Sequence, residues 1–225
     1  MNARDRRKLE MAAGAIVFSL ENPDESDPGN AAAVARLGAL VEGAPGIAQV
    51  EREGVTRERT ATAARRELRR TIIGSHVAHL AGVAELAAPE MPGARKWFVL
   101  GPSRRTFSGF LTAARLMLER AEGQRELLVR HGLSAKVLED MKARLAEYEA
   151  ATAEAREGRR AHIGARAALG AVAAEVFDVV KVLDGLNRIR FARDAQKLSE
   201  WEAVSRVESD PQRASDGEKA QEKAA

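Results

Sequence analysis

Cysteine is absent from this 225-residue chain, which excludes disulfides, thiolate nucleophiles and cysteine-ligated zinc together. Aromatic residues are scarce, at 4% against 45% hydrophobic residues in all. The apolar material is therefore mainly Ala, Leu and Val, a mixture that suits closely approaching helices better than sheets. Long hydrophobic runs are missing as well. The apolar stretch 11–20 follows an Arg-rich segment and runs into the acidic, proline-containing segment 21–27 with no small-x-small cleavage pattern, so it reads as an amphipathic first helix and not as a signal peptide. No stretch reads as long enough to span a bilayer. The expectation is a cytoplasmic protein with no membrane partner.

Catalytic signatures are lacking too. Gly101-Pro102-Ser103 has neither the spacing nor the Lys-Ser/Thr ending of a phosphate loop. No G-x-S-x-G elbow and no H-E-x-x-H occur. A di-iron bundle needs Glu three residues before a His, but Ile73, His76, Leu128 and Arg159 stand at those places before the four histidines. No catalytic residue, no cofactor and no sequence repeat is expected.

What is present is helical periodicity. From 103 to 210 there is no proline, and the one strong stop is His131-Gly132-Leu133-Ser134, with Gly132 suited to a left-handed C-cap and Ser134 to an N-cap. Phe107, Phe110, Leu111, Ala114, Met117, Leu118, Ala121 and Leu128 recur at threes and fours before the stop. Val137, Met141, Leu145, Tyr148, Thr152 and Ala155 do so after it, which predicts an antiparallel hairpin of two long helices. Upstream, the pattern predicts helices over 3–20, over 28–42 with Pro28 in the first turn, and over 45–88 after a turn at Ala44-Pro45-Gly46. Gly54 is a candidate split in the third of these. The last helix is expected over 134–206, weakened by Gly158, Gly164 and Gly170, with Gly158 as the expected bend. The fold class expected is all-α: an elongated antiparallel bundle of four main helices, the first broken, with a long non-helical connector at 89–103. Residues 1–207 form a single domain in this reading, and the polar segment 208–225 is a disordered tail.

Charge is close to balance, with 36 Lys and Arg against 33 Asp and Glu and a net charge of +3. Three groups of residues carry the candidate chemistry. His76 and His79 follow Ile72 at +4 and +7 and precede Val83 and Leu86, which places both on the apolar seam. With His162 they are the candidate metal ligands, although a satisfied core pair is the simpler reading. The connector joins Arg95, Lys96, Arg104 and Arg105 to Trp97, and the central helix carries Arg57, Arg59, Arg65, Arg66, Arg69 and Arg70. Cations beside stacking surfaces suit nucleic acid or a phosphorylated ligand. Glu51, Glu53, Glu58 and Glu67 interrupt the basic run, so nucleic-acid binding is expected to be weak at physiological salt. The connector reads equally well as a plug whose Trp97-Phe98-Val99-Leu100 turns inward. Two stripes of small residues, Gly74, Ala78, Ala81 and Gly82 and then Gly164, Ala168 and Ala171, read as helix-packing faces. The leading functional expectation is a non-enzymatic scaffold or interaction module, with a protein partner or a second copy of itself. Nucleic-acid binding and a histidine metal or ligand site are the alternatives.

Overall fold

A computed structural model describes residues 2–24, 27–101 and 106–207. Arg104, Arg105 and the segment 208–225 lie outside them. Every regular element among the described residues is a helix, and the protein is an all-α helical bundle. The elements are α1 (Ala3–Glu21), α2 (Pro28–Thr71), a π-helical turn (Ile72–Val77), α3 (Ala78–Ala87), α4 (Ala94–Trp97), α5 (Phe107–Gly123), α6 (Arg125–Arg130), α7 (Ala135–Arg190) and α8 (Ala195–Ser205).

Local chemistry sets the ends. The Asn2, Thr106 and Asp194 side chains accept hydrogen bonds from the backbone N–H groups of Asp5, Gly109 and Lys197, each satisfying a first-turn donor. At the expected stop Gly132 has φ of +100°, and the Leu133 amide donates back to the Leu128 carbonyl at 2.9 Å. That closes α6 with a left-handed cap. Ion pairs of α5 and α6 with α7, Arg115 with Glu149 and Arg125 with Glu139, run in opposite chain directions. The hairpin is antiparallel as expected.

Three punctuation readings are corrected. The helix runs through Pro45 and Gly54, and α7 runs through Gly158. Pro45 faces solvent beside the buried Ala44; its missing N–H costs about 3 kcal/mol, which packing on both sides of it offsets. Two breaks come where none was expected, between α5 and α6 at Gln124 and between α7 and α8 at residues 191–194. Because Pro45 does not interrupt it, Pro28–Ala87 is a continuous helical run, long and apolar enough by length and composition to cross a membrane, with little of that stretch buried. This corrects the reading that no stretch reaches such a length.

The contacts of the chain fall into two compact units: residues 1–52 with 161–225, and residues 53–160. Helices α2 and α7 contribute to both. In the first unit, Met11, Ala12, Ala15 and Phe18 of α1 pack with Leu37, with Val176, Val180 and Leu183 of α7 and with Trp201 of α8. In the second, Ile72, Leu80 and Val83 pack with Phe110, Ala114 and Met117 of α5 and with Leu138, Met141 and Leu145 of α7. The buried positions of α7 in this unit, from Leu138 through Met141, Leu145, Tyr148, Ala151 and Ala155 to Gly158, keep the three-and-four spacing of a coiled-coil seam.

That seam narrows at Gly158. A Cβ there would lie 2.6 Å from the Glu58 amide nitrogen and 2.8 Å from the Gly54 carbonyl oxygen. Glycine is what lets the two backbones touch, so the expected bend is instead a close crossing. The stripes read from the sequence as packing faces are mostly on the open side: Gly74, Ala78, Gly82, Gly164, Ala168 and Ala171 are exposed. Helical period alone marks a face without saying which side a neighbour covers.

The π-helical turn moves the seam. A π turn carries one more residue than an α turn, so the positions after it rotate. Beyond Ile72 and His76 the buried residues are Val77, Leu80, Val83, Ala84 and Ala87, while Leu86, expected inside, is 64% exposed.

Candidate functional site

The same rotation separates the histidine pair. His79 is exposed, a correction to its place on the apolar seam. His76 is 6% exposed and its Nε2 lies 2.7 Å from Asp140 Oδ2 on α7. Arg144 Nε stands 3.7 Å from the other oxygen of that carboxylate. His76 is thus held by a carboxylate across the helix pair, while its Nδ1 is buried without a hydrogen-bond partner. His162 belongs to the other unit. Among the described residues no group of three or more His, Asp or Glu stands together as a metal ion would need.

The connector packs inward. Met91, Ala94, Phe98 and Leu100 are buried in the core of the second unit, and Trp97 is half-buried with the Arg120 guanidinium 5.9 Å from its ring. Gly93 turns the chain into α4 with φ of +92°, where a Cβ would meet the Trp97 indole at 3.2 Å. One short helix, α4, interrupts the expected non-helical stretch. Arg95 pairs with Glu85 at 2.9 Å and Lys96 is exposed. The apolar half of the connector therefore covers one end of the core, as a plug does, and its charges stay wet.

The arginines of α2 divide. Arg57 pairs with Glu154 and Glu157 of α7, and Arg70 pairs with Glu67. Arg65 is buried, and its guanidinium lies 3.3 Å from the centre of the Phe107 ring. Arg69 sits 5.1 Å from the Phe110 ring, which meets Tyr148 edge-on at 5.1 Å. Burial pushes the Arg65 pKa down; Tyr148 opposes this, while the charges of Arg66 and Arg156 add to it. Burial pushes the Tyr148 phenol up, against the charges of Arg65 and Arg69. Neither Arg65 Nε nor the Tyr148 hydroxyl has a hydrogen-bond partner. Phe107, Tyr148 and Arg156 went unsingled from the sequence as partners of the basic run; the available signal was that Arg65 follows Ala61 and precedes Leu68 at seam spacing.

In the first unit the sequence reading missed a recess of about 410 Å³ between α1 and α2. Leu20, Pro23, Ala31, Val34 and Ala35 line its apolar wall, and Asn30 lies at its base. Asn30 is itself buried, with its Oδ1 unpartnered. Leu20 is 69% exposed and Val17, one turn earlier, 54%. No family model, curated protein or solved structure matches this chain.

Proposed function

We propose that the chain is a non-enzymatic helical interaction protein, and that it associates with a second copy of itself through the α1–α2 face of the first unit. The observation that carries this reading is the adjacency of a protrusion and a hole. Val17 and Leu20 stand out of α1 beside a recess lined by Pro23, Ala31, Val34 and Ala35. A two-fold interface uses one patch on both copies, so it requires a knob and a matching hole on the same surface. Exposed aliphatic side chains beside an apolar recess lose water-accessible area on pairing, at about 25 cal/mol per Å². The interaction reading is supported further by how buried titratable groups are used: His76 is engaged by Asp140, and Asp184 by Arg188 and Trp201, so both serve helix packing.

Light scattering on size-exclusion fractions across a wide concentration range tests it. The expected mass rises from the 24.3 kDa of one chain toward twice that value, and Leu20→Glu holds it at one chain with an unchanged helical spectrum. A wild-type mass of one chain at every concentration overturns the proposal.

A further inference from the structure

The crossing of α2 and α7 in the second unit has two flanks of different charge. Glu58 and Gly158 meet at the crossing. Each residue along an α-helix turns about 100°, and an antiparallel pair is related by a two-fold axis through the contact. Residues one step before the contact on both helices therefore share one flank, and residues one step after it share the other. On the first flank Arg57 faces Glu157, with Nη2 to Oε2 at 2.9 Å, and Glu154 as well. On the second flank the same symmetry sets Arg59 beside Arg159.

Both Arg59 and Arg159 are exposed, and among the described residues neither makes an ion pair. Arg66, seven residues on from Arg59, returns to the same face of α2, about 10 Å further along the axis. Arg156 precedes Arg159 by one turn of α7. These two are also exposed and without an ion pair among the described residues, and the charges of both reach Arg65. Arg65 in turn covers one face of the Phe107 ring at 3.3 Å, while Phe107 remains 42% exposed. Arginines whose charges no carboxylate offsets thus surround an aromatic side chain that is still open to solvent.

We propose that this flank binds single-stranded nucleic acid, with backbone phosphates on Arg59, Arg66, Arg156 and Arg159 and one base stacked at the open side of Phe107. The guanidinium fork matches a phosphate by paired hydrogen bonds. A half-exposed phenyl ring offers a stacking surface that an unpaired base can use and a base inside a duplex cannot. An acidic protein segment would use the cations and leave the ring without a role. The weak binding expected from the alternating sequence charges followed from counting residues along the chain; around the helix, Glu67 is taken by Arg70 and Glu154 and Glu157 by Arg57.

Fluorescence anisotropy with a labelled single-stranded oligonucleotide at low salt, using the full chain, tests the proposal. Four phosphate contacts predict a slope of about −3 in log affinity against log salt, at about −0.7 per contact for a single strand. Arg59→Gln with Arg66→Gln and Arg156→Gln is expected to flatten the slope to about −1. Phe107→Leu is expected to lower affinity about tenfold. The ion-paired control Arg57→Gln, and Leu20→Glu from the other unit, leave binding unchanged. All five replaced side chains are at least partly exposed, and thermal melts confirm folding. Absence of binding at low salt overturns the proposal, as does a triple variant that binds like the parent. Equal affinity for a duplex of the same length, or displacement of the strand by polyglutamate of equal charge, overturns it in favour of a recognition by charge alone.

Discussion

The two units are built on the same two helices and dispose of their polar groups differently. In the first, the bulkiest side chain, Trp201, is fully buried against Phe18, with ring centres 5.4 Å apart, and its indole N–H donates to Asp184 Oδ1 at 2.9 Å. Of the buried side-chain polar atoms without a hydrogen-bond partner among the described residues, only Asn30 Oδ1 lies in this unit. The second unit holds four: Arg65 Nε, His76 Nδ1, Arg144 Nε and the Tyr148 hydroxyl. Each such atom costs about 1–3 kcal/mol. The first unit is thus closed inside with aliphatic side chains left outside, while the second keeps unsatisfied donors beside a cationic surface. That division is why an apolar partner is assigned to one and an anionic partner to the other.

Replacing Trp201 by Ala breaks the comparison most severely, at about 3–5 kcal/mol. Hydrogen exchange should show lost protection in α1 and α8 while α5 and the first half of α7 keep theirs. Equal loss in both would mean that the units unfold as one. The Asp184 partnership adds a pH dependence. Burial pushes its carboxyl up, but the hydrogen bonds from Arg188 and Trp201 and the charges of Arg188 and Arg206 outweigh that, leaving the pKa below its ordinary value. A depressed carboxyl adds stability above its unfolded pKa and gives it up as pH falls through the folded one. Trp201 fluorescence, read in a Trp97→Phe background, is therefore expected to report loosening of the first unit below about pH 4. Asp184→Asn should remove that acid transition.

Two glycines on one helix sharpen the contrast further. Gly158→Ala forces a methyl group into the Glu58 backbone and is expected to cost about 1–3 kcal/mol in a denaturant titration. Gly164, only six residues on, has open space around it, and Gly164→Ala is expected to stabilise by about 0.4–1 kcal/mol. A neutral Gly158→Ala would mean that the helices separate at the crossing.

The smallest effect belongs to the histidines. His76→Gln is expected to cost about 1 kcal/mol, and added zinc or nickel should leave the melting temperature unmoved in parent and variant alike. A native-state metal site would instead stabilise by about 2.7 kcal/mol at a hundredfold excess over Kd. Such a shift, abolished in the His76→Gln, His79→Gln double variant, would reinstate the metal reading.

The helix hairpin was legible because its signals are local: an uninterrupted three-and-four period, and a Gly-x-Ser stop whose glycine needs positive φ. The plug reading of the connector was legible in the same way, since the bulkiest apolar run in the chain stands next to charges that must stay wet. Pro45, Gly54 and Gly158 were misread because a helix breaker acts on an isolated helix, whereas these lie in helices held by neighbours along their length. His79 and Leu86 were misplaced because the turn that rotates them, Ile72–Val77, widens for reasons of packing that no local spacing records.

By itself, then, the order of residues determined the helical class, the caps, the antiparallel hairpin and which residue types were available for chemistry. Tertiary structure alone decided which flank of α2 is neutral, which small residues touch a neighbour, and that Asp140 would meet His76. The physical reason is range. Capping and periodicity act within one or two turns of a single helix, but the charge on Arg57 is neutralised, and that on Arg59 is not, by residues about a hundred positions away on α7.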